Sequence, residues 1–452
     1  MKKTGRGGLS KKAAALLFFC ALWMLCGCAG FSGSFSTGEG LVTSGDGGAS
    51  QGKLAQSADS IRDHLSMESA AVLDYAVPTQ LPSILVDREG YSPRQTMMAF
   101  LKLDPSLEEV PEYFSVVDAE SGLPVLQGAF TPIKGDTQAV SALTADFTGK
   151  LPEGEYRVTA GCYGSSYPFR VAEGLMQERF RPVAEAMREA VRSRQATPED
   201  VLQLLQSYEW NREYFAAGEN AGIPEPLGEA AEWIRGIDYS AIAAEDAAVY
   251  AVILAKFGYL YKDRDEHFAT ECLQKASALY TQSKETLQRG DTSFRALTEL
   301  YRASGLEDYH REILEETKVL FEKQGFVDES GYLYGIMTYM TTRQTVDPSV
   351  CDRLMDPLLS RGEEIGTRKR QMLHPVSPRN NGEADLLFAA QQLICANAVL
   401  EGHTYNEILE DILHYLSGRN LESAVYPPEG DHLGAYYLLL SWLAALEAGD
   451  LL

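Results

Sequence analysis

The sequence predicts a two-domain fold, in which a small β-sandwich is followed by a larger all-α domain. Between residues 79 and 173, short runs of β-branched and aromatic residues are separated by turn residues, which is typical of a sandwich. From residue 174 to residue 452, apolar residues recur every three or four positions, which is typical of amphipathic helices. The change of period therefore places the domain boundary near residue 174.

The first 28 residues predict export and attachment to a lipid. An apolar run ends in Gly27-Cys28 and follows five Lys and Arg residues, the pattern of a cleavable lipoprotein signal peptide. Gly27 is small enough to precede the cleavage point, and Cys28 supplies the thiol that receives the lipid. An uncleaved transmembrane anchor is the alternative, although the stretch from Ala13 to Ala29 is short for a bilayer span. We expect a bacterial cell-surface protein, extracytoplasmic and held to the membrane through its lipid anchor only.

Residues 29–78 are predicted to form a flexible tether between the lipid and the folded domains. The first half of this segment is rich in Gly, Ser and Thr and nearly free of large apolar residues. Such a composition buries too little apolar surface to offset the entropy lost on ordering.

The chain is strongly acidic, and this limits its partners. The formal net charge is −24, and without the five cations of the signal peptide it is about −29. A surface of this sign repels phosphate backbones, so nucleic acid is excluded as a partner. Neutral polymers such as polysaccharides are compatible with this charge, which solubility alone also explains.

The cysteines that remain after processing are widely spaced and show no C-x-x-C pattern. We expect them to be small buried apolar residues rather than a disulfide framework or a zinc site. A bridge among the last three is the alternative. The four residues are Cys162, Cys272, Cys351 and Cys395.

The predicted strands of the sandwich lie in short β-rich runs. Turn signals separate them, as at Ser121-Gly122 and Gly154-Glu155, and the whole segment has about the size of an immunoglobulin domain, roughly 100 residues. The runs are 83–86, 97–101, 113–117 and 156–160.

The predicted helices are marked by apolar stripes and by breakers. Val249, Ile253, Phe257 and Leu260 form one stripe with the spacing of a helix that buries one face. Glycines and prolines then divide the region into about a dozen helices by this pattern. A solenoid, a bundle and a double ring of helices all remain compatible with it. The breakers are Gly222, Gly290, Gly305, Gly325, Pro348, Pro375 and Gly402.

Four segments, in chain order, resemble motifs of the family-9 glycoside hydrolases, the cellulase family. Residues 84–93 resemble I-x-V-N-Q-x-G-Y-x-P, and residues 222–230 resemble G-I-P-D-L-L-D-E-A. Residues 296–305 resemble A-x-x-E-L-Y-x-A-T-G, and residues 413–420 resemble the start of L-D-Y-L-L-G-R-N-P. The resemblance, to a divergent and shortened member, implies an immunoglobulin-like β-sandwich followed by an all-α (α/α)6-barrel-like domain of the six-hairpin glycosidase type.

The resemblance also implies hydrolysis of β-glucosidic bonds with inversion. That reaction needs a base and an acid, two carboxyl groups about 6.5–9.5 Å apart. The family's D-A-G-D motif finds its nearest match in Ala216-Ala217-Gly218-Glu219, so the first aspartate is missing and Glu219 is the candidate base. In the segment that corresponds to the family's acid, Glu429 is the first candidate and Asp431 the second.

Aromatic residues beside the altered motif supply candidates for sugar contact. The rings of Tyr208, Trp210 and Tyr214 would bury the apolar face of a pyranose. His432, next to the candidate acids, is a fourth substrate-binding candidate. Neither a metal-binding H-E-x-x-H pattern nor a nucleotide-binding glycine loop occurs, and no cofactor is predicted.

Two functions stay open at this point. One is a hydrolase of a polysaccharide or oligosaccharide, most simply of the β-glucan type. The other is a non-catalytic glycan-binding or envelope scaffold protein, which the missing aspartate favours.

Overall fold

The described part of the N-terminal domain contains eight short strands. The computed structural model describes residues 81–104, 106, 110–133, 142–216, 222–286, 290–368, 382–426 and 433–449. The strands are β1 (Ile84–Leu85), β2 (Met98–Lys102), β3 (Tyr113–Asp118), β4 (Pro124–Ala129), β5 (Thr131–Pro132), β6 (Ala142–Asp146), β7 (Gly154–Thr159) and β8 (Phe169–Val171). They form two sheets, of order β1-β2-β6-β5 and β4-β3-β7-β8, in which all neighbours are antiparallel.

Alternating side chains explain why these strands form a sandwich. In β7, Tyr156 and Val158 are buried while Arg157 between them is exposed, so one face of the strand points to the core. Aromatic rings fill the space between the sheets: the ring of Tyr91 meets those of Phe147 and Phe169 edge-on, with centroids 5.8 and 5.4 Å away. The predicted β-sandwich is confirmed.

Thirteen helices lie within the described residues of the second domain. Their stripes of apolar residues share one large core. The helices are α1 (Leu175–Arg192), α2 (Pro198–Trp210), α3 (Arg212–Ala216), α4 (Glu225–Arg235), α5 (Ala247–Tyr261), α6 (Glu266–Thr286), α7 (Asp291–Ser304), α8 (Glu307–Leu320), α9 (Ser330–Met340), α10 (Pro348–Arg368), α11 (Glu383–Leu400), α12 (Asn406–Leu416) and α13 (Leu433–Ala448).

The helices form two concentric rings. Helices α2, α5, α7, α9, α11 and α13 each pack against the next, and α13 packs back against α2, so the inner ring closes. Helices α1, α4, α6, α8, α10 and α12 pack around it. Because an outer helix separates each inner helix from the next along the chain, the inner helices all run in the same direction. Of the three arrangements that the periodicity allowed, the double ring, an (α/α)6 barrel, is the one formed.

A buried ion pair joins the two domains. Asp87, at the end of the first strand segment, is fully buried; Arg179 of α1 donates to its Oδ2 at 3.1 Å, and His414 Nδ1 of α12 lies 2.7 Å from the same oxygen. Burial opposes ionisation of Asp87, but Arg179 and His414 outweigh it and hold the pKa of this carboxyl below its usual value. The backbone N–H of Arg88 also donates to the carbonyl of Ser417, at 2.8 Å.

Two of the segments that carry the family resemblance therefore meet at the domain junction. Burial lowers the pKa of His414, although Asp87 opposes this, so the imidazole is neutral and its Nδ1 proton points to Asp87. The junction fixes how α1 and α12 sit against the sandwich.

Candidate functional site

The N-terminal halves of five inner helices line a cleft at one end of the barrel. Its volume is about 480 Å³, within the range of small-molecule binding sites. We call it the barrel-mouth cleft. Apolar contacts come from Phe388 of α11 and from Ala435 and Leu438 of α13. Its larger polar side chains are Glu199, Gln203 and Gln206 of α2, Arg295 of α7, Tyr334 of α9 and Gln391 of α11.

Local sequence features place the α2 side chains. Thr197 caps the helix: its hydroxyl accepts from the backbone N–H of Asp200 at 3.2 Å, and the Asp200 carboxylate accepts from the backbone N–H of Thr197 at 2.7 Å. This reciprocal cap holds the first turn, which carries Glu199. One turn later, Gln203 lies against Gly434 of α13, where a Cβ would come within 1.7 Å of the Gln203 Oε1 atom. Because Gly434 has no side chain, the Gln203 amide can occupy this position.

Arg295 is the cation of the cleft. Only 6% of its side chain is exposed, and its Nη1 lies 3.9 Å from the Glu199 carboxylate, which is too far for a hydrogen bond. The guanidinium carbon lies 4.3 Å from the centroid of the Tyr334 ring, a favourable cation–π position. Desolvation raises the pKa of the Glu199 carboxyl against the opposing effect of Arg295, although 52% of the Glu199 side chain remains exposed at the mouth.

Three buried polar atoms of the cleft residues have no hydrogen-bond partner among the residues that the structure describes. They are Gln203 Oε1, Arg295 Nε and the Tyr334 hydroxyl. Burial also raises the pKa of Tyr334 well above its usual value, so the hydroxyl stays protonated. A buried polar group without a partner costs about 1–3 kcal/mol. Because three such groups line the same cleft, they mark it as a place where a polar ligand would be stabilised.

A second polar cluster lies in the C-terminal halves of the inner helices, and its charges are paired with one another. Lys256 of α5 is completely buried and donates to Glu209 of α2. Arg302 of α7 donates to Glu209 at 2.6 Å and to Glu299 at 2.5 Å. Burial alone would raise the pKa of Glu209, but Arg302 and Lys256 lower it to about 2. Two carboxylates and two cations balance one another, so this cluster ties helices together at the end opposite the cleft.

The predicted catalytic residues lie outside the described residues. This holds for Glu219, Glu429, Asp431 and the sugar-contact candidate His432, as it does for Cys28. Residues 427–432 directly precede α13, whose Ala435 and Leu438 line the barrel-mouth cleft. Glu219 instead follows α3 in the sequence, beyond the C-terminal end of α2.

The predicted sugar-contact residues Tyr208, Trp210 and Tyr214 lie at that C-terminal end. Along α2, Tyr208 and Trp210 are about 14 and 17 Å from Glu199, and Tyr214 follows in α3. Tyr208 is buried in the helical core and Trp210 packs edge-on against Trp442. A sugar-contact role for these residues remains a prediction.

Tyr214 lines a separate cleft between α1, α3 and α4, with a volume of about 700 Å³. Its arginine Arg188 is paired: it donates to Glu229 at 2.8 Å and lies 2.7 Å from Glu225 of the same cleft. The aromatic candidates therefore do not share one site, since Tyr214 lines a cleft while Tyr208 is buried in the core.

No motif in the sequence pointed directly to Gln203, Arg295 or Tyr334. One signal was present: the pattern Thr197-Pro198-Glu199-Asp200 predicts a capped helix start. The remaining residues of the cleft stand in ordinary amphipathic helices, and only ring closure brings them together.

The described residues were also searched for a metal site, a membrane span and disulfide bonds. No group of three or more His, Cys, Asp or Glu side chains in them is placed to hold a metal ion. Across the same ranges, none of the helices is both long and apolar enough to cross a membrane. The four cysteines of the folded domains are free thiols; Cys272 and Cys395 are buried as expected, whereas Cys162 is exposed.

Comparison with known proteins agrees with this fold. Residues 79–165 match the family described as the cellulase N-terminal ig-like domain. A metagenome-derived glycoside hydrolase family 9 endoglucanase has a similar structure, with a TM-score of 0.66 and 16% identity over 81% of this chain and 98% of that chain. No curated protein sequence matches the chain.

Two further solved structures share the fold. The GH9 protein of Bacteroides ovatus gives a TM-score of 0.62 at 15% identity and covers 82% of this chain and 99% of its own. AaCel9A, in complex with cellobiose-like isofagomine, gives 0.60 at 16% identity and covers 76% and 84%. The predicted resemblance is confirmed: an immunoglobulin-like sandwich precedes an (α/α)6 domain like that of family-9 glycoside hydrolases.

Proposed function

We propose that this chain, a divergent protein with the fold of the family-9 endoglucanases, is a cell-surface lipoprotein that binds polysaccharide in the barrel-mouth cleft. One observation carries the proposal: three buried polar atoms without partners line this cleft among the described residues. A ligand rich in hydroxyl groups would satisfy them.

The chemistry of the lining suits a sugar. The amides of Gln203 and Gln391 each donate and accept hydrogen bonds, as sugar hydroxyls do. The Tyr334 hydroxyl adds a donor, and Phe388 offers an apolar surface to the C–H face of a pyranose. A β-glucan is the first ligand to test, because a structural neighbour was solved with a cellobiose-like compound.

Hydrolysis is the second candidate, and Glu199 favours it. A carboxyl with a raised pKa at a cleft mouth is suited to protonate a leaving oxygen. Glu199 is, however, the one carboxylate among the described residues that line the cleft. An inverting reaction needs a second one, and Glu429 or Asp431 would have to supply it. Binding without turnover needs no such partner.

The binding test compares two tyrosines that both stack on an arginine. Tyr334→Phe removes the hydroxyl in the cleft and keeps the ring. Tyr259→Phe does the same beside Arg302, at the other end of the barrel. With the full-length chain in mild detergent and soluble cello-oligosaccharides in a calorimeter, we expect Tyr334→Phe to weaken binding about two- to tenfold. Equal affinities for Tyr334→Phe, Tyr259→Phe and the unchanged chain would refute the proposed site.

Turnover is tested by release of reducing sugar from β-glucans. Binding without release supports the first candidate. Release that is lost in Glu199→Gln supports hydrolysis in this cleft, and loss in Glu429→Gln as well would identify the second carboxyl group. Loss only in Glu219→Gln would contradict hydrolysis by Glu199.

The lipid anchor is tested through Cys28. In cells fed a labelled fatty acid, we expect the chain to be labelled and to sediment with membranes. The variant Cys28→Ala should lose the label. A variant that stays labelled would show that the lipid is attached elsewhere.

A further inference from the structure

We infer that the polysaccharide bound in the barrel-mouth cleft contains an acidic sugar, whose carboxylate is bound by Arg295. This inference rests on the proposed function and names the class of glycan. It departs from the neutral β-glucan that the family resemblance implies.

Arg295 differs from the other buried arginines of the described residues. Arg179, Arg302 and Arg419 each donate a hydrogen bond to a carboxylate, at 3.1, 2.6 and 2.7 Å respectively. Arg295 is buried to a similar extent, yet its closest approach to Glu199 is 3.9 Å and is an ion pair without a hydrogen bond. A buried guanidinium is normally held by such bonds, because leaving its N–H groups unpaired is costly.

The position of Arg295 suits a ligand carboxylate. Its guanidinium stacks on Tyr334, which leaves the planar edge with its N–H groups for the flat, bidentate contact that arginine forms with carboxylates. Gln203 Oε1 and the Tyr334 hydroxyl, also unpartnered in the described part of the chain, line the same cleft and can bind the hydroxyls of the sugar ring.

The helices around the cleft favour an anion as well. Five inner helices present their N-terminal halves to it, and the N-terminus of a helix carries a partial positive charge. Two acidic side chains near the cleft already accept hydrogen bonds from backbone N–H groups. Asp200 accepts from Thr197 in the helix cap, and Asp291 accepts from Gly331 at 3.0 Å.

Glu199 is the competitor for Arg295. Half of its side chain is exposed, so it can turn to solvent when a ligand carboxylate arrives. Desolvation already raises the pKa of this carboxyl, which reduces the repulsion between it and an incoming anion. Removing the Glu199 charge should therefore strengthen the binding of an acidic glycan.

The experiment uses two probes that differ only at C6: cellotetraose and the corresponding tetramer of β-1,4-linked glucuronic acid. Affinities are measured by calorimetry with the full-length chain in mild detergent. We expect the acidic tetramer to bind about tenfold or more tightly, as for one charge-assisted contact. Arg295→Gln should abolish this preference, and Arg295→Lys should keep part of it. Arg212→Gln, which alters an arginine stacked on Tyr208 away from the cleft, should leave it unchanged.

Glu199→Gln provides a test that keeps Arg295 in place, should Arg295→Gln fail to fold. We expect it to strengthen binding of the acidic tetramer. Unchanged or weaker binding by Glu199→Gln, or equal affinity of the unchanged chain for both tetramers, would overturn the inference and leave the proposed glycan-binding function standing. If neither tetramer binds, the proposed function fails together with the inference.

Discussion

Replacing Asp87 by alanine is expected to destabilise the protein strongly, because Asp87 is the buried carboxylate of the domain junction. The change removes the acceptor of Arg179 at 3.1 Å and of His414 at 2.7 Å. It also removes the acceptor of two backbone N–H groups, those of Glu89 at 2.8 Å and Gly90 at 3.1 Å.

The magnitude follows from what is left behind. Removing one member of a buried ion pair costs about 3–5 kcal/mol. Arg179 keeps other partners, since Glu89 Oε2 lies 2.8 Å from its Nη2 and the Ser417 hydroxyl accepts from the same nitrogen. We therefore expect the lower end of that range, a loss of about 3 kcal/mol in the free energy of unfolding. Asp87→Asn keeps an acceptor and loses only the charge, so its effect should be smaller.

The assay is equilibrium unfolding in urea, followed by tryptophan fluorescence. Asp104→Ala is the control, because Asp104 is an exposed aspartate of the same domain that accepts from the neighbouring Ser106. It should cost less than about 1 kcal/mol, as is usual for surface positions. If Asp87→Ala unfolds at the same urea concentration as Asp104→Ala, the junction does not stabilise the fold as argued.

Three further outcomes are expected. The pKa of His414 is lowered in the folded state, so the unfolded chain takes up a proton at a higher pH than the folded chain. The free energy of unfolding should therefore fall as the pH drops below about 6.5. His414→Gln should reduce this pH dependence in urea titrations between pH 7 and 5. Lys256→Met leaves Glu209 and Glu299 with one cation fewer and should lower the free energy of unfolding by about 3–5 kcal/mol. The control Lys262→Met, at an exposed position, should leave it almost unchanged in the same assay. Gly434→Ala places a methyl where Gln203 Oε1 now lies; calorimetry should show weaker glycan binding while the thermal midpoint is kept or raised, and unchanged binding would mean that Gln203 is not needed.

The predicted fold class rested on local signals, and these were sufficient. The period-two runs became strands, and the stripe at Val249, Ile253 and Phe257 became α5, which is buried in the helical core. The breakers Gly305 and Gly325 have positive φ angles of 67° and 71°, a conformation in which glycine is favoured. Each of these outcomes depends on residues within one or two turns of each other, which is why the sequence could predict it.

The contacts between distant segments could not be predicted in this way. Asp87 and His414 are 327 positions apart, and both stand in segments that were recognised only as resembling the family. Their sequence contexts are ordinary for a strand end and a helix. Only the packing of α12 against the sandwich brings the two side chains to one buried site.

The sequence by itself determined the acidic charge and the order of a β-rich and a helical domain, and it predicts the leader that ends at Cys28. The tertiary structure alone decided that the inner helices close into a ring, that their N-terminal halves share one cleft, and that Arg295 is buried there without a hydrogen bond to any residue that the structure describes. The physical reason is that periodicity fixes which face of a helix is apolar, whereas burial and the loss of hydrogen-bond partners depend on which distant elements cover that face.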